Sequence, residues 1–583
     1  MSYNKQLARI FKDMSSIYQY MGGKQKFRAI AYAKAANVLD NLQHDISTYV
    51  NNNTLDEVPC IGESMAEKIK EYISTGHIKK YEALKNRMPA ELLEMMDITG
   101  FGPQTIKHIH QSLNIQNKEE LVEALQSGRV SKLKGFGEKK VQNLMRSLKL
   151  HHAVEERMLL WDALQLGNKI LDELKHLKEV DKIELAGSLR RKKETIGDID
   201  ILIAAKKSNW KKIIAHFTSL PFVTQVIAKG ETKASVIIEE INKQADVRIV
   251  HPEEWGAALL YFTGSKNHNV HLRTIAKSKG YKISEYGLFD AHTNKFICGE
   301  TEADVYKKLG FDWIEPEMRE DKGELELAAE KNLPQLISLN DMRGDMHMHS
   351  KWSDGAMDID ELAALVLKNF SYDYIVLTDH SKSERVAGGM NEEEFLAQIE
   401  EIKKVNKKLQ KDFIKTGCEV DILQNGKLDL KDNLLERLDW VCASIHSGMN
   451  HDNTERLIAA CEHPLVCCVG HPAGRIIGKR EAYPVDWKKV FETAKKTGTA
   501  FEINAQKDRL DLNDELARMA REAGVMLTIS TDSHLKENFS FMELGVAVAR
   551  SAWCTRENIL NTKSWKDVQH FMERKRNRML KYA

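Results

Sequence analysis

Asp198 and Asp200 stand two apart in Gly197-Asp198-Ile199-Asp200, directly ahead of the apolar run Ile201-Leu202-Ile203-Ala204. Side chains alternate along a strand, so both carboxylates fall on one face. Their mutual repulsion is relieved by a hard divalent cation such as Mg²⁺ or Mn²⁺. Asp246, within Ala245-Asp246-Val247-Arg248-Ile249-Val250, offers a third carboxylate on another strand and would complete a site for two metals. Such a pair activates an attacking hydroxyl and holds a leaving phosphate. A second set is rich in histidine: His347 and His349, then His380, Glu419, His446, His471, Asp532 and His534. Mixed imidazole and carboxylate donors suit Zn²⁺ or Mn²⁺ better than Ca²⁺.

The elements that must carry these residues change along the chain. From Gln6 to Leu150 apolar residues recur at three and four, as in Phe27, Ile30, Ala31, Ala35, Val38 and Leu39, which predicts an all-helical region. One phrase repeats within it: Val58-Pro59-Cys60-Ile61-Gly62, Ile98-Thr99-Gly100-Phe101-Gly102 and Leu133-Lys134-Gly135-Phe136-Gly137, each before a lysine-bearing helix. A glycine turn ahead of a helix resembles the helix-hairpin-helix motif, whose backbone amides approach a DNA phosphate without reading sequence. The resemblance implies DNA contacts at Gly62, Gly100, Gly102, Gly135 and Gly137. The first copy departs from it, with Cys60 where glycine is usual.

Past Leu150, Ile183-Glu184-Leu185-Ala186 predicts a strand, followed by Gly187-Ser188-Leu189-Arg190-Arg191. A lone D-x-D is more often a solvated strand edge. A G-S pair ahead of G-x-D-x-D, however, resembles the nucleotidyltransferase signature. It implies that Gly187 and Ser188 hold phosphate through backbone and hydroxyl donors, that Arg191 is a positive clamp, and that Asp198, Asp200 and Asp246 are catalytic metal ligands. Tyr261-Phe262-Thr263-Gly264-Ser265, with Asn269 and Arg273 beyond, is similar to the nucleotide-binding segment of the family X DNA polymerases, the group that includes polymerase beta. There, residues at the Tyr261, Phe262 and Gly264 positions line the sugar and exclude a 2′-hydroxyl, and those at Asn269 and Arg273 approach base and template. Some members also use a lysine of the first hairpin as a Schiff-base lyase nucleophile, which requires a depressed pKa. Lys68 falls at that position, with Ser64 where eukaryotic relatives carry lysine; lyase nucleophile and plain phosphate contact are the two readings.

In the last third, apolar strands alternate with helical stretches: Tyr374–Leu377, Phe413–Gly417, Trp440–Ser444, Val466–Val469, Ala500–Ile503 and Val525–Ile529. Repeated β-α order predicts a parallel barrel, and barrels place their sites at the C-terminal ends of strands, where His347 to His534 fall. H-x-H, T-D-H, G-x-E-x-D, S-I-H, G-H-P and T-D-S-H in this order resemble the polymerase and histidinol phosphatase (PHP) domain. The resemblance implies up to three ions, Zn²⁺ or Mn²⁺, shared among His347, His349, Asp354, His380, Glu419, His446, His471, Asp532 and His534. Arg475 is expected to touch a backbone phosphate or product.

A chain of 583 residues has room for about four domains. The expected architecture is an all-α helix-hairpin-helix region, an α+β nucleotidyltransferase palm and thumb, and a distorted (β/α)7 PHP barrel. Expected boundaries are 1–85 for an N-terminal helical DNA-binding domain, 86–150 for fingers, 151–255 for palm, 256–315 for thumb, 316–342 for a linker and 343–583 for the barrel. Residues 1–315 hold 47 Lys+Arg against 40 Asp+Glu and the remainder 39 against 45, so a basic front half faces a polyanion and an acidic rear half suits cations. Met1-Ser2-Tyr3-Asn4-Lys5 runs into an amphipathic pattern with no signal-peptide core, no apolar run nears the ~20 residues of a membrane helix, and the eight cysteines form no CxxC. A cytoplasmic monomer acting on gapped or primer-template DNA with deoxynucleoside triphosphates is expected. The implied function is gap-filling synthesis in base excision repair coupled to a 3′→5′ exonuclease, with abasic-site endonuclease activity left open. The rivals are a small-molecule phosphoesterase of the histidinol phosphatase type and a catalytically silent DNA-binding scaffold.

Overall fold

The computed structural model describes residues 3–582 except 41, 43, 44, 59, 86, 99, 156 and 239–242; Met1, Ser2, Pro59 and Thr99 of the motifs above lie outside the described residues. The chain divides into two compact units, Met1–Glu155 with Ile476–Glu481, and Glu156–Arg475 with Ala482–Ala583.

The first unit is helical, as the three-four periodicity predicts. Helices Tyr3–Met21, Lys26–Asp40, Glu63–Thr75, Pro103–Leu113 and Glu138–Glu155 are its longer members. They close around Phe11, Ile69, Phe101 and Leu121, all fully buried. Gly62 and Gly102 are N-caps with extended backbone and no side-chain cap. Two residues before each repeat's last glycine the chain is left-handed: φ is 62° at Cys60, 90° at Gly100 and 84° at Gly135. Cβ crowding in that region costs a non-glycine residue about 1–2 kcal/mol, so the first hairpin carries strain the other two avoid. A Cβ placed on Gly62, Gly102 or Gly137 meets nothing within 4 Å among the described residues, so this side of each hairpin is open for close approach.

In the second unit a five-stranded sheet runs in the order Lys182–Leu185, Ile199–Ala204, Lys243–Val250, Lys233–Ile238, Val223–Lys229. Ile199–Ala204 and Lys243–Val250 are parallel, in a register that sets Asp200 beside Asp246. Helices Leu160–Lys175 and Trp210–Phe217 cover the sheet with Leu164, Ile170, Ile213 and Phe217. Helices Trp255–Thr263 and Lys266–Ser278 follow, then a three-stranded antiparallel sheet and helix Glu302–Lys308.

The stretch 316–342, expected as a polar linker, is packed. It contains helix Glu324–Ala329, and both Arg319 and Glu324 are fully buried. Its charges read as solvated because their partners lie elsewhere in sequence: Arg319 Nη1 meets Glu302 Oε1 at 2.6 Å and Glu324 Oε1 meets His268 Nδ1 at 2.7 Å.

The remainder is a seven-stranded parallel sheet in strictly sequential order: Gly344–Asp345, Tyr374–Leu377, Ile414–Asp421, Trp440–Ser444, Cys468–Val469, Ala500–Asn504 and Leu527–Ser530. It curls into a nearly closed (β/α)7 barrel. The seam is held by a Met348–Ser533 bridge and by Thr531, whose amide and hydroxyl donate to the buried Asp345 at 3.1 and 2.5 Å.

Candidate active sites

Strand register builds the palm cluster. One carboxylate oxygen from each of Asp198, Asp200 and Asp246 lies within 4.8 Å of the others. Asp198 precedes its strand and is exposed, whereas Asp200 is half-buried. Burial, then the charges of Asp198 and Asp246, push Asp200 up to about 7. Asp246 accepts from Gln244 Nε2 at 2.9 Å and pairs with Lys233 Nζ at 3.2 Å. Gly187 packs against this cluster at φ 58°, so closely that a Cβ would lie 2.1 Å from Asp200 Oδ2. Three converging carboxylates with one held near neutrality fit a divalent cation of the Mg²⁺ or Mn²⁺ kind.

The neighbouring Arg190 and Arg191 are engaged by protein. Arg190 reaches Glu302 at 2.8 and 2.9 Å and Thr263 Oγ1 at 2.6 Å. Arg191, expected to clamp phosphate, donates to Glu320 Oε1 at 2.9 Å and to the Thr263 carbonyl. It would therefore have to exchange a carboxylate for a phosphate. Glu302 also takes both arms of Arg319; burial opposes its charge, but the two guanidiniums outweigh burial and hold it down at about 2.

Tyr261, Phe262 and Gly264 end one helix, while Asn269 and Arg273 sit on the next. Asn269 Nδ2 donates to the Tyr261 carbonyl at 2.7 Å and Arg273 Nε to the Asn269 carbonyl at 3.3 Å. The Asn269 Oδ1 is buried without a hydrogen-bond partner among the described residues. Tyr261 and Phe262 rings meet edge to face at 5.2 Å, and the Arg248 guanidinium lies over Phe262. The expected sugar-facing segment is thus a braced element.

At the barrel mouth all nine expected ligands converge. His349, Asp354, His380 and His534 form one group, His347, His349 and Asp532 a second, and His380, Glu419 and His446 a third. His471 Nε2 meets Glu419 Oε1 at 2.7 Å. Several contacts are close without hydrogen-bond geometry, such as His380 Nδ1 and Glu419 Oε2 at 2.9 Å. His347 Nε2, His349 Nδ1, His380 Nδ1 and Glu419 Oε2 are buried with no hydrogen-bond partner among the described residues. Buried lone pairs left unmatched among imidazoles and carboxylates fit transition-metal ions. Burial works against charge on His446 and His534, yet Glu419 and Asp421 push the first up to about 10, and Asp354 and Asp532 push the second up to about 9. Burial, reinforced by His534 and His380, pushes His349 down to about 3.

Sequence reasoning passed over Glu502, which orients this mouth. It takes His347 Nδ1 at 2.8 Å and receives the His471 amide at 2.7 Å and Asn504 Nδ2 at 3.1 Å. A carboxylate inside the apolar strand Ala500–Asn504 was the available signal. Asp421, 3.4 Å from His446 Nδ1, was visible in G-x-E-x-D.

The barrel also grips the palm. Arg475 Nη2 donates to Glu194 Oε2 at 2.5 Å and Nε to the Arg509 carbonyl at 2.9 Å. The expected phosphate contact is therefore spent on a loop lying between Arg191 and Asp198. Lys193–Asp514 and Lys507–Asp162, at 3.2 and 3.3 Å, reinforce the join, as does a Trp161–Phe541 ring contact.

Residues 161–257 match the family described as DNA polymerase beta palm and 258–320 DNA polymerase beta thumb. Residues 2–78 match a helix-hairpin-helix domain and 92–150 a SAM-like helix-hairpin-helix tandem. Over 576 residues, 98% of this chain and 100% of the relative, it is 36% identical to the DNA polymerase/3′-5′ exonuclease PolX of Bacillus subtilis (strain 168). The chain belongs to the family X DNA polymerases. It is also 26% identical to DNA polymerase lambda of Rattus norvegicus over 346 residues, 55% of this chain and 56% of that one. DNA polymerase lambda of Arabidopsis thaliana is 25% identical over 351 residues, 54% and 62% respectively. Those two matches span about half of this family X polymerase, whereas the bacterial relative aligns along nearly its whole length.

Proposed function

We propose that this chain fills short gaps in DNA during base excision repair, extending a primer at the palm cluster and trimming its 3′ end at the barrel mouth. It is a DNA polymerase with 3′→5′ exonuclease activity, and it carries one carboxylate cluster in the palm and a separate histidine-carboxylate cluster in the barrel. That pairing of centres carries the reading.

At the palm, Asp198, Asp200 and Asp246 would hold Mg²⁺ or Mn²⁺, which supplies charge neutralisation to a 3′-hydroxyl and a triphosphate. Gly187 lets the Gly-Ser turn approach Asp200, and Ser188 offers a hydroxyl to phosphate. Arg191, released from Glu320, binds the same anion. Tyr261, Phe262 and Gly264 face the sugar of the incoming deoxynucleotide, with Asn269 and Arg273 beyond them toward base and template. Asn269 fixes the Tyr261 carbonyl, and a fixed carbonyl excludes a 2′-hydroxyl better than a mobile one. At the barrel, the nine ligands would hold up to three Zn²⁺ or Mn²⁺ ions, which lower the pKa of attacking water. Glu502 keeps His347 and the His471 backbone in place. Abasic-site cleavage at the same mouth belongs to this proposal.

Gly62, Gly100, Gly102, Gly135 and Gly137 contact DNA backbone. Lys68 Nζ donates to Ser64 O and Oγ at 2.7 and 2.9 Å, and burial lowers its pKa, with Lys80 and Arg28 adding to burial and Glu67 and Glu71 opposing it. Lys80 and Arg28 supply part of the positive field that a lysine at Ser64 would give, so lyase chemistry at Lys68 stays within the proposal, tested by borohydride trapping. No helix of the described residues is long and apolar enough to cross a membrane; a cytoplasmic monomer is proposed.

The test is substrate preference. Extension across a one-nucleotide gap bearing a 5′-phosphate is expected to exceed extension of a simple recessed end at least ~10-fold in kcat/KM. Equal efficiency on both would remove the gap-filling role.

A further inference from the structure

The barrel's other end holds charges that neither centre uses. Lys575, on the C-terminal helix Trp565–Tyr582, is only 2% exposed. Its Nζ donates to the Cys461 carbonyl at 3.0 Å and to Thr499 Oγ1 at 2.5 Å. An ammonium has three N–H groups, and no carboxylate pairs with this one among the described residues. Burial lowers its pKa to about 8, which leaves it a cation at neutral pH. A buried charge without a counter-charge is costly, so its neighbourhood should offer one.

What lies beside it is a cavity of about 240 Å³, far larger than the ~30 Å³ of one water, lined also by Lys495, Arg574 and Arg578 and by no aspartate or glutamate. Neither Arg574 nor Arg578 forms an ion pair among the described residues. Two helices, Trp487–Thr497 and Asp514–Ala523, end at Gly498 and Gly524 on the cavity wall. Each helix C-terminus carries about half a negative charge, so together they offset about one of the four positive charges. The surplus is that of an anion site. Thr499 and Met526 precede the strands Ala500–Asn504 and Leu527–Ser530, whereas the metal-ligating residues follow strand ends, so the cavity lies a strand length, about 15 Å, from that mouth.

We propose that this cavity binds a phosphate-class oxyanion, with Lys575 as the buried anchor and Arg574, Arg578 and Lys495 closing around it. Planar guanidinium forks match tetrahedral oxyanions, and a doubly charged anion would nearly balance the site. The oxyanion is either free, as phosphate or pyrophosphate, or part of a DNA backbone.

The test titrates full-length protein by calorimetry with inorganic phosphate, with pyrophosphate and with a short oligonucleotide lacking terminal phosphates, at matched ionic strength. Because the palm and barrel centres also take phosphates, the reading is the difference between wild type and the double variant Arg574→Ala with Arg578→Ala. Both arginines are exposed, so the melting temperature in chloride should be unchanged. One class of site is expected to weaken at least ~10-fold in the variant. Loss confined to phosphate and pyrophosphate assigns a free anion, and loss confined to the oligonucleotide assigns the DNA backbone. Lys575→Met, which fills the space without charge, should remove the same site and raise the melting temperature in chloride. Identical isotherms for all three titrants in wild type and the double variant would overturn the proposal.

Discussion

Replacing Gly187 with alanine tests the palm with a single methyl group. The new Cβ would sit 2.1 Å from Asp200 Oδ2 and 3.1 Å from its Cγ, against an ordinary contact of at least 3.4 Å. The carboxylate must therefore retreat by roughly 1.3 Å or rotate out of the cluster it shares with Asp198 and Asp246. A misplacement of about 1 Å at a reacting centre costs about 100-fold in rate. The φ of 58° adds backbone strain of about 1–2 kcal/mol, felt as stability. Single-nucleotide incorporation on gapped DNA should fall about 100-fold in kcat/KM, and the melting temperature by a few degrees, with 3′ degradation unchanged. Gly280→Ala is the matched control, since it has a similar φ of 77° and its Cβ meets nothing within 4 Å among the described residues. Gly187→Ala incorporation within threefold of wild type would refute the argument that this glycine makes room for the metal cluster.

Glu302→Gln should destabilise the second unit by about 3–5 kcal/mol in a denaturant titration, because it strands the buried Arg319 guanidinium and the partly buried Arg190; a loss below ~1 kcal/mol would show the network to be dispensable. Asp200, raised from 3.8 to about 7 in the fold, stays protonated where the unfolded chain has lost its proton, so its contribution to stability falls as pH rises from about 4 to 7. Mg²⁺ should therefore raise the melting temperature more at pH 8 than at pH 5.5, and Asp200→Asn should abolish that difference; an unchanged pH dependence in the variant would contradict it. Arg475→Gln and Glu194→Gln should each raise KM for deoxynucleotide several-fold, with a double variant no worse than either, since they remove one shared contact; additive effects would mean that the two residues act apart.

His380, His446, His471 and His534 were legible because each follows an apolar strand, and His347 and His349 through their H-x-H spacing; a parallel barrel turns that order in sequence into convergence in space. The palm carboxylates were legible for a similar reason, since parallel pairing sets Asp200 beside Asp246. Cys60 announced its left-handed backbone through its repeat mates Gly100 and Gly135. What stayed hidden depends on pairing across long separations. Glu302 gathers Arg190 from 112 residues away, and neither residue marks the other in sequence. The 316–342 stretch looked solvated for the same reason, because buried ion pairs and exposed charges have the same composition. Arg475 looked free to meet phosphate until the fold brought Glu194 to it.

That two independent centres act on one 3′ end is tested most directly by following a single 5′-labelled primer in a gapped duplex with both kinds of variant. Asp198→Ala with Asp200→Ala should abolish extension and leave 3′ shortening at the wild-type rate. Glu419→Ala should abolish shortening, lower bound Zn or Mn and leave extension intact. Loss of both activities in either folded variant, or shortening that survives in Glu419→Ala, would contradict it.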